Sequence, residues 1–142
     1  CKHVDTLGLD ERVVFTGRVD SKDVAKYYEI ADVTVDPVED DLAAKGRCPL
    51  KLFESWYMGT PMVTSDVGDR KLLTQDGTLA LLARPGDPAD LAEKIKVCLR
   101  DTSVSTNLRL LGIEGVKGYD WERLAGNFVS IIGEQKDGFS YD

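Results

Sequence analysis

The amino-acid sequence predicts an α/β domain built on a doubly wound parallel sheet. Three observations predict it: four short, β-branched apolar runs, helix-period segments between them, and glycine or proline where one kind of segment gives way to the other. The runs are Arg12 to Thr16 (RVVFT), Val33 to Asp36 (VTVD), Pro61 to Ser65 (PMVTS) and Leu79 to Ala83 (LALLA). Each is short and rich in apolar and β-branched residues, as strands covered on both faces are. Strand and helix alternation implies βαβ units, with ligands expected outside the carboxyl ends of the strands.

Taken in order, helices are expected over Asp23 to Ile30, Leu50 to Met58, a short Arg70 to Leu73, and Pro88 to Leu99. In the second of these, Pro49 suits the first helical position, where its missing N–H costs nothing, and Gly59 followed by Pro61 marks the end. Leu50, Phe53 and Tyr57 follow an i, i+3, i+7 pattern and are expected to face the core. Pro85-Gly86-Asp87 reads as a turn, and Pro88 opens a helix with Leu91, Ile95, Cys98 and Leu99 on one stripe. From about Ser105 the chain reads as helical, interrupted at Gly115 to Gly118. It resumes at the N-cap Asp120 with Trp121, Leu124, Phe128 and Ile132.

Composition narrows the function classes. The chain has 142 residues, 42% hydrophobic and 30% charged, enough for one globular domain with a core of its own. The formal net charge of -7 argues against a nucleic-acid partner, which needs a broad basic surface. No apolar run approaches the roughly 18 residues of a membrane span. Three scattered cysteines, Cys1, Cys48 and Cys98, make no disulfide framework, so a reducing compartment, the cytoplasm, is expected. The chain opens on Cys1-Lys2-His3 rather than methionine, and a longer protein is expected around it.

The stretch that can carry chemistry runs from Lys45 to Pro61 (KGRCPLKLFESWYMGTP). Lys51 and Glu54, three apart on a helix, share a face. A lysine in a first turn is repelled by the positive end of the helix dipole, by roughly 0.3–1 kcal/mol, and an anion placed there reverses the sign. Free backbone N–H groups, Lys51, Arg47 and Lys45 could then converge on a phosphate, while Glu54 accepts hydrogen bonds from vicinal sugar hydroxyls. A phosphate beside a diol describes a nucleotide. Spacing alone does not separate this from a solvated pair contributing a few tenths of a kcal/mol.

Other constellations are weaker. Asp36, Glu39, Asp40 and Asp41 could gather a divalent cation, against the simpler account of a solvated loop. The single histidine, His3, and Cys48 have no partner in sequence that would activate them. Tyr27-Tyr28 and Trp56-Tyr57 could stack on a base or be core aromatics. No glycine-rich dinucleotide fingerprint or P-loop is present, which weakens a dehydrogenase or ATPase reading.

In this order, LGLDERVVFTGRV, DVAKYYEIADVTVDP, CPLKLFESWYMGTPMVTSDVGD, LLARPGDPADLAEKI and GYDWERLAGNF resemble the carboxy-terminal domain of the retaining glycosyltransferase family called group 1. The resemblance covers nearly the whole chain, and its strongest motif is Pro49-Leu50-Lys51-Leu52-Phe53-Glu54 followed by Gly59-Thr60-Pro61. It implies a Rossmann-like sheet forming the C-terminal half of a two-domain GT-B enzyme and lacking its first strand, so that residues 1–142 are a nucleotide-sugar-binding domain. With a strand order of 3-2-1-4-5-6, the runs Arg12 to Thr16 and Pro61 to Ser65 would then face each other across a gap.

By position, the resemblance makes Glu54 the carboxylate on the ribose hydroxyls. Pro49, Leu50 and Lys51, with Arg47 beside them, fall at the diphosphate, and Gly17, Arg18 and Val19 at the base. Asp120-Trp121 would start a helix that packs toward the other domain. Many members carry a further glutamate eight residues before this one, where this chain has Gly46; the subgroup with Pro-Leu-Lys before its glutamate often lacks that residue too. The implied activity is metal-independent, cofactor-free transfer of a sugar from a nucleotide-sugar donor to an acceptor held by an N-terminal domain, with no catalytic residue assigned in this segment. The alternatives left open are a non-catalytic nucleotide-binding or regulatory module and a sugar-nucleotide epimerase.

Overall fold

The computed structural model describes residues 2–136. Cys1 lies outside them, and of the other cysteines Cys48 is exposed and Cys98 buried. The elements in chain order are α1 (Lys2–Thr6), α2 (Ser21–Ile30), β1 (Thr34–Asp36), α3 (Leu42–Lys45), α4 (Leu50–Tyr57), β2 (Met62–Ser65), α5 (Arg70–Leu73) and β3 (Leu81–Ala83). They are followed by α6 (Pro88–Arg100), α7 (Thr102–Val116), a 3-10 turn (Lys117–Tyr119) and α8 (Trp121–Lys136).

The three strands form one parallel sheet in the order β1-β2-β3, with Val35 opposite Val63 and Val63 opposite Leu81. Side chains alternate across a strand, so neighbouring residues of β2 serve different layers. Met62 packs with Leu52 and Trp56 of α4 and with Leu79 and Ala80, whereas Val63 packs with Ala83, Cys98 of α6 and Leu108 of α7. All four residues of β2 are buried, so its sequence shows no alternation of apolar and charged residues, and the hydroxyls of Thr64 and Ser65 are hydrogen-bonded. Helices thus cover both faces, as a doubly wound sheet requires.

Local chemistry sets the helix ends. Asp87 accepts from the backbone N–H groups of Ala89 and Asp90 and starts α6. Asp101 ends α6 and starts α7 by accepting from Ser103 and Val104. This cap places the start of α7 before the expected Ser105. The helix then runs through Gly115 to Val116 before tightening into the 3-10 turn, and the missing side chain of Gly115 lets it pass close to Leu79.

Four expectations need correction. Residues 13–17 form no regular strand, and Val14 and Phe15 are 84% and 64% exposed. An extended segment becomes a strand only when a neighbour takes its backbone hydrogen bonds, and none of the described strands runs beside this one. The gap expected beside Pro61 to Ser65 does not occur, since β2 is central and paired on both sides. Leu50 and Tyr57 do not face the core: they are 66% and 77% exposed, and α4 buries Leu52, Ser55 and Trp56 instead. Leu99 is likewise exposed while Cys98 is buried with Leu91 and Ile95 against the sheet. No helix among the described residues is long and apolar enough to cross a membrane.

Candidate functional site

The rotation of α4 decides what it presents. With Trp56 fixed in the core by a 2.9 Å hydrogen bond from its indole Nε1 to the Leu79 carbonyl, the opposite face carries Leu50, Lys51, Glu54 and Tyr57 to the surface. The start of α4 has no side-chain cap, and the buried Pro49 occupies the cap position. The positive end of the helix is therefore open to an anion.

In front of it lies a cleft of about 240 Å³ lined by Asp36, Arg47, Cys48, Pro49, Leu50, Lys51 and Arg70. Four residues expected from sequence, Arg47, Pro49, Leu50 and Lys51, meet there. Two others, Asp36 and Arg70, were not foreseen as a pair. Arg70 is 1% exposed, and each of its three guanidinium nitrogens has a partner: Nη2 donates to Asp36 Oδ2 at 3.0 Å, Nε to Thr64 Oγ1 at 3.0 Å, and Nη1 to the Val67 carbonyl at 3.3 Å. The other carboxylate oxygen of Asp36 lies 3.5 Å from Lys51 Nζ. Asp36 thus neutralises the buried guanidinium and draws the exposed ammonium over the cleft. Arg47 and Lys51 supply cationic charge that the buried pair does not consume. Nothing in the sequence links positions 36 and 70, because the sheet alone brings them together.

Glu54 sits one turn further along α4 and accepts a 2.7 Å hydrogen bond from the Tyr28 phenol at the end of α2. Tyr28 was foreseen only as a stacking or core aromatic. Burial first, then the hydrogen bond to Glu54 and the negative charges of Glu54 and Asp36, push its ionisation well above the ordinary phenol range. The phenol therefore remains a donor at all physiological pH. Of the other stacking candidates, Trp56 belongs to the core, whereas Tyr27 and Tyr57 are exposed.

Gly17, Arg18 and Val19 are not part of the cleft. Gly17 takes a left-handed φ of 62°, and Arg18 and Val19 border an open hollow with Asp20, Ser21 and Val24 at the start of α2. Lys45 is drawn away by a 2.7 Å ion pair with Asp40. The acidic run is dispersed in the same way: Asp36 turns to Arg70, Asp40 to Lys45, and Asp41 caps α3 through the Ala44 N–H. Among the described residues no three His, Cys, Asp or Glu side chains gather as metal ligands. His3 is exposed on α1, apart from all of this.

A parallel sheet covered on both faces, with a cationic cleft at an uncapped helix start and a carboxylate one turn on, defines an α/β domain suited to an anionic ligand. Residues 1–101 match the family model described as glycosyl transferases, group 1, and the chain belongs to that family. It is 30% identical over 124 residues to the phosphatidyl-myo-inositol mannosyltransferase of Mycobacterium leprae (strain TN), a match covering 87% of this chain and 32% of that one. The sucrose-phosphate synthase of Thermosynechococcus elongatus superposes with a TM-score of 0.74 at 27% identity, over 97% of this chain and 34% of that structure. HepE of Anabaena, solved in complex with UDP and glucose, shares the fold with a TM-score of 0.71 at 22% identity, over 91% and 35%. The sheet and its helices are those of the C-terminal domain of GT-B glycosyltransferases. The chain spans about a third of the length of these proteins.

Proposed function

We propose that residues 1–142 form the donor-binding domain of a retaining glycosyltransferase, holding a nucleotide-sugar for transfer to an acceptor bound by a separate N-terminal domain. The observation that carries this reading is the convergence of Arg47, Lys51 and the uncapped start of α4 on one cleft, with Glu54 one turn beyond. A diphosphate in the cleft meets two cations and the helix terminus, which favour the charge that develops on the leaving group as the glycosidic bond breaks. The Glu54 carboxylate accepts from the two ribose hydroxyls. Gly17 to Val19, on the turn before α2, face the base in this reading. Charge stabilisation comes from these fixed groups, with no metal or organic cofactor. A cytoplasmic location is part of the same proposal, and three scattered cysteines without a disulfide framework suit a reducing compartment.

The test is donor kinetics in the complete gene product. Glu54→Ala removes a charge-assisted acceptor from an exposed helix face, so the fold is kept while kcat/KM for the donor falls by roughly 1.5–3 kcal/mol, about tenfold to a hundredfold. A value within twofold of the parent removes Glu54 from the site. Lys51→Ala weakens a nucleoside diphosphate more than the bare nucleoside, and equal losses for both would contradict the phosphate assignment. Turnover that requires an acceptor separates a transferase from an epimerase or a regulatory module.

A further inference from the structure

We infer that Tyr28 is a positioning residue for donor binding, one that holds the Glu54 carboxylate in the orientation a ribose diol requires. The inference rests on the assignment of Glu54 to the ribose and adds the group that makes Glu54 effective.

Glu54 lies on the exposed face of α4, where a glutamate samples several rotamers and loses that freedom on binding. Among the described residues its one polar partner is the Tyr28 phenol, at 2.7 Å on Oε2. That bond restrains Oε2 and narrows the orientations of the carboxylate, leaving Oε1 and the second lone pair of Oε2 open to accept from two adjacent hydroxyls. A carboxylate already held in place gives up less entropy when the ligand arrives.

Tyr28 can act in this way because it is itself anchored. It belongs to the last turn of α2, where its carbonyl accepts from Thr60 Oγ1 at 2.8 Å and from the Ala31 N–H at 3.2 Å. Thr60 is buried directly ahead of β2, and its own carbonyl accepts from Ser55 Oγ of α4 at 2.8 Å. The end of α2 is thereby tied to the sheet and, through Ser55, to the helix that bears Glu54. The phenol and the carboxylate are carried by elements that cannot drift apart. The phenol also stays protonated, since burial and the adjacent negative charge oppose its ionisation. None of its anchoring bonds uses the hydroxyl, so Tyr28→Phe deletes the contact to Glu54 and leaves the backbone tie in place.

The experiment titrates UDP, GDP and ADP calorimetrically into the complete gene product, takes the tightest of the three, and repeats the titration with its 2′,3′-dideoxy counterpart. Wild type, Tyr28→Phe, Glu54→Ala and the double variant are compared, with melting temperature as a check on the fold. The expected result is a weakening of the ribonucleotide by Tyr28→Phe of about five- to tenfold, less than the loss on Glu54→Ala because the carboxylate remains and only its restraint is removed. Binding of the dideoxynucleotide is unchanged, and Tyr28→Phe has no further effect once Glu54 is alanine. A Kd within twofold of wild type, an equal loss for both nucleotides, or the same loss in the Glu54→Ala background overturns the inference and leaves Glu54 where it is. If Glu54→Ala itself binds the ribonucleotide as wild type does, or if none of the three nucleotides binds, the functional reading fails and the inference falls with it.

Discussion

Gly112 tests the packing that orients the site-bearing helix. It lies inside α7, where alanine is intrinsically favoured over glycine by about 1 kcal/mol, so a helix considered alone gains from Gly112→Ala. In the fold, the added Cβ stands 2.6 Å from Trp56 Cδ1, 3.2 Å from Cγ and 3.4 Å from Nε1. The indole cannot withdraw. It is 1% exposed, and its N–H is committed to the Leu79 carbonyl at 2.9 Å. Overpacking of this kind costs about 1–3 kcal/mol, and displacing the indole from its acceptor adds about 1 kcal/mol. Against the propensity gain, the net destabilisation is about 1–3 kcal/mol. For a domain of this size that lowers the melting temperature by about 3–4 °C per kcal/mol. Thermal unfolding followed by near-ultraviolet circular dichroism reports on Trp56 in particular, since Trp121 is exposed and contributes little structured signal. Gly126→Ala in α8 is the control, because a Cβ there meets nothing within 4 Å and only the gain of propensity remains. A melting temperature for Gly112→Ala equal to or above wild type would refute the close approach of α7 to Trp56 and, with it, the rotation assigned to α4.

Three further outcomes are expected. Arg70→Met strands the buried Asp36 carboxylate and destabilises by about 3–5 kcal/mol, nearer the lower figure because Lys51 still faces one oxygen. Adding Asp36→Asn recovers most of the loss in urea unfolding, and no recovery would exclude the pair as the cause. The backbone N–H of Asp90 foremost, with Arg84 and the N–H of Ala89, favours the ionised form of the Asp87 cap and holds its carboxyl below the ordinary carboxylate range in the folded state. Its contribution is therefore present above the ordinary carboxylate range and is lost as pH falls through the lowered folded value. The gap in melting temperature between wild type and Asp87→Ala should accordingly close on acidification from pH 6 toward pH 3, and a gap that widens would reverse the sign. Chelation with EDTA leaves sugar transfer unchanged in the proposed mechanism. Activity lost with EDTA and restored by manganese or magnesium would move attention to Asp36 through Asp41.

The α/β class, the helix starts at Pro88 and near Pro49, and the cationic segment Arg47 to Lys51 are legible in the sequence because each depends on neighbours within a turn or two. Proline at a helix start, an apolar run and an i, i+3 pair act over distances the chain itself sets. The face that α4 buries is not of this kind. Leu50, Phe53 and Tyr57 make as good an apolar stripe as Leu52, Ser55 and Trp56. The choice falls to the pocket that α7 and the segment just ahead of β3 build for Trp56, where Gly112 leaves room and Leu79 offers an acceptor. The run Arg12 to Thr16 has the composition of a strand, yet strand formation needs a partner's backbone, a property of two segments and not of one. Asp36 with Arg70, and Tyr28 with Glu54, join residues 34 and 26 positions apart, and only the folded sheet and its covering helices bring those groups within hydrogen-bond reach. The sequence by itself therefore determined the kind of domain and the cations at its cleft. The tertiary structure decided which side chains hold those groups in place, because that depends on contacts across the fold.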